Sequence, residues 1–170
     1  FLRDPSPTST SPYLASGHMS SLPKLEHAKT GRSSCRKCGE GIDAGELRVG
    51  IEAWVAGRVC DTWQHPQCAL ESCFLEACAR SAGKCKATER AFAKGEVRLA
   101  MCTKDHKTYY SVGADAMGAA LRPILDAVGA DAFEVSDITG FLALTKTQRA
   151  EVETSVAAAT CGRRSEASSF

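Results

Sequence analysis

Two short cysteine and histidine motifs limit most strongly what this chain can fold into. Cys35-x2-Cys38 forms the first, His65-x2-Cys68 forms the second, and 26 residues (39 to 64) lie between them. A tight knuckle and the start of a helix can bring two such pairs around one tetrahedral ion, with no position left for water. The spacing therefore predicts a closed structural Zn2+ site. The alternatives are two unrelated thiol pairs, or Cys60 in place of one ligand.

The composition explains why a metal ion would help this chain to fold. Of its 170 residues, 44% are hydrophobic but only 6% are aromatic, which predicts a thin core. Metal binding supplies folding free energy that such a core lacks. The nine cysteines are an odd number and fall below the density of secreted disulfide scaffolds. We therefore expect one structural Zn2+ as the cofactor and a reducing, intracellular compartment.

The charge balance excludes a strongly basic nucleic-acid-binding chain. The 21 Lys and Arg minus the 20 Asp and Glu leave a net charge of +1, so any binding to phosphates would depend on the local arrangement of basic side chains. No apolar run reaches the roughly 18 residues of a transmembrane helix. No catalytic constellation stands out either, and we expect neither enzymatic activity nor a small-molecule substrate.

The pattern of the chain predicts four segments. Residues 1–24 are rich in Ser, Thr and Pro and read as an extended arm, residues 25–84 as the metal-binding module, residues 85–160 as a second unit, and residues 161–170 as a tail. The chain opens on Phe instead of Met, which indicates a fragment or a processed product.

Within the metal-binding module, hydrophobic periodicity predicts a hairpin and a helix. Alternating apolar residues over 47–55 indicate a half-buried strand, Gly57 marks a turn, and 59–64 would pair back. A helix is expected to begin at Pro66 and to run towards Gly83 with the apolar positions Leu70, Cys73, Phe74 and Ala77 on one face.

The second unit contains a local repeat of the first. Residues 85–99 match residues 35–49 at an offset of 50 (85 minus 35), most closely in Gly45-Glu46-Leu47-Arg48 and Gly95-Glu96-Val97-Arg98. Thr88 replaces the second Cys and no His-x2-Cys follows, so we expect a metal-free relative of the first unit. A helix face over 117–128 with a bend at Pro123, and a capping box at Thr145 that opens a last helix, complete an α+β chain.

Residues 28–38, 45–50 and 63–68 together resemble the zinc finger of poly(ADP-ribose) polymerases and DNA ligase III. Residues 140–144 resemble the closing segment of that family. In the family the module recognises DNA breaks by gripping backbone phosphates with basic side chains and packing apolar side chains on exposed base faces. The resemblance thus implies a DNA partner, a nuclear location and no catalysis.

Carried over by position, the resemblance assigns Cys35, Cys38, His65 and Cys68 as the metal ligands. Arg32 and Arg48 would face phosphate, in a basic surface with Arg36, Lys37 and Arg58. Val55 and Val59, which flank Ala56-Gly57-Arg58, would occupy the base-stacking loop. This loop is shorter than in the family and lacks its aromatic residue. Trp54 could compensate for the missing aromatic residue, but it lies in the alternating strand, where packing in or beside the core is at least as good an interpretation.

A second hypothesis belongs to a different class of protein. A finger and its metal-free copy could form a structural accessory subunit of a larger protein complex, without DNA binding, in a plastid or mitochondrial assembly. The near-zero net charge, the short loop and the degenerate repeat favour this alternative.

Overall fold

The computed structural model describes residues 22–104, 106–129 and 133–161. Most of the expected arm (1–24) and tail (161–170) therefore lies outside the described residues. The strands of this part of the chain are β1 (Lys24–His27), β2 (Ser33–Ser34), β3 (Gly41–Ile42), β4 (Leu47–Val55), β5 (Arg58–Gln64), β6 (Cys73–Ala77), β7 (Val97–Thr103) and β8 (His106–Ser111). The helices are α1 (Pro66–Glu71), α2 (Ala119–Val128) and α3 (Lys146–Thr160), with a π-helical turn at Ala114–Gly118 and 3-10 turns at Val135–Asp137 and Phe141–Ala143.

Small antiparallel sheets combined with helices confirm the α+β class. One three-stranded sheet has the order β1-β4-β5, another has the order β6-β7-β8, and β2 pairs with β3 in a short ribbon. The predicted hairpin is confirmed as β4–β5, and Val49, Ile51 and Ala53 turn their side chains into the core. Its two turn residues, Ala56 and Gly57, have positive φ angles of 49° and 80°, as a tight hairpin turn requires.

The helix predicted from Pro66 towards Gly83 is wrong beyond its first turns. Helix α1 ends at Glu71, and Cys73–Ala77 forms strand β6, which pairs with the central strand β7. Cys73 and Leu75 are buried while Phe74 is half-buried between them, so the period is two and not 3.6. The short run fits either period, and pairing with a distant strand decides the conformation.

The two three-stranded sheets share one hydrophobic core. The same cluster contains Val49 and Ile51 from the first sheet and Leu99 and Tyr110 from the second. Two polar contacts join the sheets at their margins: Gln64 Nε2 donates to the Cys102 carbonyl at 3.0 Å, and Lys86 pairs with Glu52 at 2.7 Å. The described parts of both sheets are thus held against each other.

The C-terminal helices cover this core as the sequence predicts. Met117, Ala120, Leu121, Ile124 and Leu125 are buried, and Pro123 lies inside α2. Thr145 caps α3: its hydroxyl accepts the Gln148 N–H, and the Gln148 side chain accepts the Thr145 N–H at 3.0 Å. Of the helices described, none combines the length and the apolar character needed to cross a bilayer.

Candidate metal centre and neighbouring surface

The structure brings the four predicted ligands together. The ligand atoms of Cys35, Cys38, His65 and Cys68 all lie within 4.8 Å of one another. His65 Nδ1 is 3.5 Å from Cys38 Sγ and 4.0 Å from Cys68 Sγ. Ligands about 2.1–2.3 Å from a tetrahedral ion are separated by roughly 3.5–3.8 Å. The four side chains therefore fit one metal ion, and no other group of three or more potential ligands occurs in the described ranges.

Local hydrogen bonds build the knuckle that carries the first two cysteines. Cys35 N–H donates to the Glu40 carbonyl at 2.8 Å, and Gly39 N–H donates back to the Cys35 carbonyl at 2.9 Å. Gly39 turns the chain with a φ of +83°, which glycine adopts without strain. Arg36 N–H then donates to the Trp63 carbonyl at 2.9 Å. This last bond attaches the knuckle to the end of β5, two residues before His65.

The first turn of α1 supplies the fourth ligand. Pro66 starts the helix, as expected for a residue without a free N–H, and Cys68 follows in that turn. Lys37 of the knuckle pairs with Glu71 at the end of α1 at 2.7 Å. The knuckle and the helix are therefore held at a fixed separation around the ligands.

Three thiols in one pocket perturb one another's ionisation. Burial raises the pKa of Cys35, but hydrogen bonds from the backbone of Cys38, His65 and Lys37 outweigh burial and lower it. Burial and the neighbouring Cys35 and Cys38 sulfurs raise the pKa of Cys68. The protein alone thus favours the thiolate of Cys35 and disfavours that of Cys68. A divalent cation is the group that would allow all three thiols to ionise together.

The Glu46 carboxylate lies next to the imidazole ring of His65. Glu46 Oε1 lies 3.6 Å from His65 Nε2, on the side of the ring away from the sulfurs. The other Glu46 oxygen accepts the Asp43 N–H at 2.9 Å, which fixes the carboxylate. At 3.6 Å this contact is longer than a hydrogen bond, but a carboxylate on this side of the ring favours the tautomer that leaves Nδ1 for the metal. The motif spacing gave no sign of Glu46 as a supporting residue.

Arg48 does not face solvent, unlike the phosphate contact that the resemblance implied. Its side chain is only 10% exposed, and its guanidinium donates to the Glu26 carboxylate and, at 2.9 Å, to Ser33 Oγ. The guanidinium also stacks 3.7 Å from the centre of the Trp63 ring. Glu26 and Arg48 lie directly opposite each other in strands β1 and β4. The pairing of these strands therefore brings the guanidinium to the Glu26 carboxylate instead of to a phosphate.

The other predicted contact residues lie at the surface, with one partly covered. Arg32 is exposed in the segment before β2, and Arg58 is exposed at the β4–β5 turn. Val55 is half-buried and pairs with Arg58 across the turn, whereas 54% of Val59 is exposed.

Trp54, for which the sequence left both a stacking role and a packing role open, lies at the surface. It is 62% exposed and lies directly opposite Val59 in the hairpin, so the two form an apolar pair on a projecting tip. Trp54 also lines a cleft of about 240 Å³ together with Arg36 and Lys104. These two cations and Arg58 make no ion pair with another described residue. Alternation places Trp54 on the face of β4 opposite Val49 and Ala53, but that face also carries the buried Arg48, so periodicity alone could not decide whether Trp54 is exposed.

Cys85 is surrounded by hydroxyl groups instead of further sulfurs. It is buried, and both the N–H and the Oγ–H of Ser111 donate to its sulfur at 3.3 Å. Burial raises the pKa of Cys85, but hydrogen bonds from Ser111 and Thr88 outweigh burial, so that the pKa is lowered.

The comparisons with known proteins add no identification. No protein-family model matches the chain, and no curated protein matches it significantly.

Proposed function

We propose that this chain is a non-catalytic, zinc-stabilised module that binds DNA at breaks or duplex ends. One observation carries the proposal: the exposed Trp54–Val59 pair projects next to Arg36, Arg58 and Lys104, cations that form no ion pair with a described residue. An apolar tip beside basic side chains suits an exposed base face beside its phosphates. With DNA as the partner, the nucleus is the compartment we propose.

Zinc is the metal we assign to the site of Cys35, Cys38, His65 and Cys68. Three sulfurs and one imidazole nitrogen are a donor set that Zn2+ accepts in tetrahedral geometry, and four protein ligands leave no open position for a substrate. The ion would therefore act structurally, by joining the knuckle to α1. Hydrolytic chemistry at the metal is not part of the proposal, because all four positions are taken by protein.

We further propose that the second unit, which the sequence analysis began at residue 85, begins instead with β6, because β6 pairs with β7, and that residues 73–118 are a metal-free copy of the first unit. The hydrogen bonds that support this occur at the same offset of 50 as the sequence match. Cys85 N–H donates to the Arg90 carbonyl at 2.8 Å, as Cys35 N–H does to that of Glu40. Glu76 lies opposite Arg98 in the second sheet, as Glu26 lies opposite Arg48 in the first.

The ligand positions of the proposed copy carry other residues. Thr88 stands where Cys38 stands in the first unit (88 minus 50). Lys86 N–H donates to the Tyr109 carbonyl at 2.8 Å, as Arg36 N–H does to that of Trp63, so Ser111, two residues after Tyr109, takes the place of His65. Hydrogen bonds to the Cys85 sulfur would then stabilise the copy where the first unit uses a metal.

The near-zero net charge requires that DNA affinity come from this local surface. Stacking of a base on an aromatic side chain contributes about 1–3 kcal/mol. The nearby acids Asp61 and Glu52 are neutralised by Lys24 and Lys86, at 2.8 Å and 2.7 Å. These two acids therefore do not compete with DNA phosphates for the cations beside Trp54.

Trp54→Ala tests the DNA proposal. With zinc-loaded chain and a labelled nicked duplex, fluorescence anisotropy should show binding about 5- to 100-fold weaker than wild type, since one stacked base is lost. Leu142→Ala is the matched control, because Leu142 is 72% exposed but lies elsewhere, and it should bind like wild type. Equal affinity of Trp54→Ala and Leu142→Ala would refute the proposal. Co-elution of native protein with a large complex, without any DNA binding, would favour the accessory-subunit alternative.

Cys38→Ser tests the assignment of zinc. The wild-type chain should carry one Zn2+ by mass spectrometry under native conditions, and the variant should carry none. Because a structural metal contributes folding free energy, a strong chelator should lower the melting temperature of the wild type but not of the variant. A wild-type chain that melts at the same temperature with and without chelator would contradict a structural role.

A further inference from the structure

A narrow cleft lies where the β4–β5 hairpin approaches the turn between β7 and β8. Its volume is about 240 Å³. The knuckle contributes Arg36, the first hairpin contributes Trp54, and the β7–β8 turn contributes Lys104 and His106. The cleft therefore draws residues from both halves of the chain, and neither half alone can form it.

Arg36 and Lys104 also line the adjoining cleft, which has a volume of about 590 Å³ and extends over the knuckle. Lys37 lines this second cleft as well. Asp61 is the only acidic side chain that lines either cleft among the described residues, and Lys24 already pairs with it at 2.8 Å. Lys37 already pairs with Glu71 at 2.7 Å, so Arg36 and Lys104 supply the positive charge of the two neighbouring clefts, and an exposed indole lies at one end.

The position of Lys104 is fixed by the contact between the two sheets. Thr103 Oγ1 donates to the His106 carbonyl at 3.3 Å, which closes the turn that carries Lys104. Two residues before Lys104, the Cys102 carbonyl accepts the Gln64 side chain at 3.0 Å. Gln64 is completely buried in the first sheet, so the turn of the second sheet is anchored to the unit that holds the metal ligands.

From this arrangement we infer that the cleft binds an unpaired nucleic-acid strand, with phosphates at Arg36 and Lys104 and a base against Trp54. The inference rests on the proposed function and extends it from the first unit to the second. Bases inside a duplex already stack on their neighbours, whereas an unpaired base offers its face to an aromatic side chain. Proteins that bind single strands combine a basic groove along the phosphate backbone with exposed aromatic residues on which bases stack.

The test compares blunt and extended duplexes with the full, zinc-loaded chain. Four labelled probes are used: a blunt duplex, the same duplex with a single-stranded extension, and free single strands of DNA and RNA of the extension sequence. Lys104→Ala should bind the extended duplex severalfold more weakly than wild type, with a salt slope smaller by about 1. Its affinity for the blunt duplex should fall less than its affinity for the extended duplex, because the unpaired strand adds a phosphate contact at Lys104. The two single strands identify which sugar the cleft prefers.

Lys146→Ala is the matched control, because Lys146 is an exposed lysine at the start of α3 and should bind every probe like wild type. If wild type binds blunt and extended duplexes equally, or if Lys104→Ala behaves like Lys146→Ala, the inference about the unpaired strand is refuted. In that case duplex binding still supports the proposed function. Failure of the wild type to bind any of the four probes would refute both.

Discussion

Arg48 and Arg58 offer the sharpest contrast between sequence resemblance and tertiary structure. Both are basic residues of the expected phosphate-binding surface, yet Arg48 is buried against Glu26, Ser33 and Trp63, whereas Arg58 is exposed. We predict that Arg48→Ala lowers the free energy of unfolding and that Arg58→Ala does not. Conversely, Arg58→Ala should weaken DNA binding, and folded Arg48→Ala should bind like wild type.

The contacts of Arg48 give the size of the loss. The hydrogen bond to Ser33 contributes about 1 kcal/mol, and the stacking on Trp63 contributes about 0.5–1 kcal/mol. The Glu26 carboxylate is 36% exposed, so its ion pair is partly screened and contributes about 1 kcal/mol. Because these terms share one side chain and do not add strictly, we expect a loss of about 2–3 kcal/mol. Arg58→Ala should change stability by less than about 0.5 kcal/mol.

Urea unfolding of zinc-loaded protein, followed by tryptophan fluorescence, measures this difference. The midpoint should fall for Arg48→Ala with an unchanged slope m, which indicates a change in stability and not in the exposed area. Arg48→Lys should be intermediate, since lysine keeps the charge but loses the planar fork. Wild-type stability of Arg48→Ala, together with weaker DNA binding and a smaller salt slope, would refute the buried role derived from the structure.

Two further predictions concern the metal centre and the close contact at Gly140. Glu46→Gln should weaken zinc affinity about 10- to 100-fold in chelator competition, because Glu46 supports His65. Glu96→Gln, at the same offset of 50 in the second unit, should leave zinc affinity unchanged. Equal effects of the two variants would contradict the supporting role of Glu46. Gly140→Ala should destabilise the chain by more than about 2 kcal/mol in urea, since its Cβ would lie only 2.2 Å from the Leu75 carbonyl oxygen at a φ of +89°. Gly95→Ala, with a similar φ of +82° but nothing within 4 Å, should cost only about 1–2 kcal/mol of backbone strain, and an equal loss for both variants would disprove the steric argument.

Local patterns predicted those parts of the fold whose interactions lie close in the sequence. The alternation of β4 is confirmed because its apolar face must be buried whatever the sheet packs against. The cap of α3 is confirmed because Thr145 and Gln148 satisfy each other's backbone within one turn. The two ligand motifs came together as predicted. Within each motif the ligands are close in sequence, so only the approach of one motif to the other depends on long-range structure.

Local patterns could not predict the conformation or the burial of residues that depend on partners far away in the sequence. Cys73–Ala77 became a strand because β7 offers backbone partners that lie 20 (97 minus 77) to 28 (101 minus 73) residues away, at Val97–Met101. Arg48 is buried because β1 places Glu26 opposite it. Both outcomes depend on which strands become neighbours, and periodicity within a segment contains no information about that choice.

The sequence by itself determined a cluster of three Cys and one His that could hold a metal ion, the β4–β5 hairpin and the C-terminal helices, because short-range spacing and burial patterns specify them. Only the tertiary structure decided that Trp54 projects from the surface and that Lys104 shares a cleft with Arg36. The physical reason is the shared core: Val49, Ile51, Leu99 and Tyr110 are buried together, and packing the two sheets against each other fixes which turns meet. The surface that we propose for nucleic acid is a consequence of that packing.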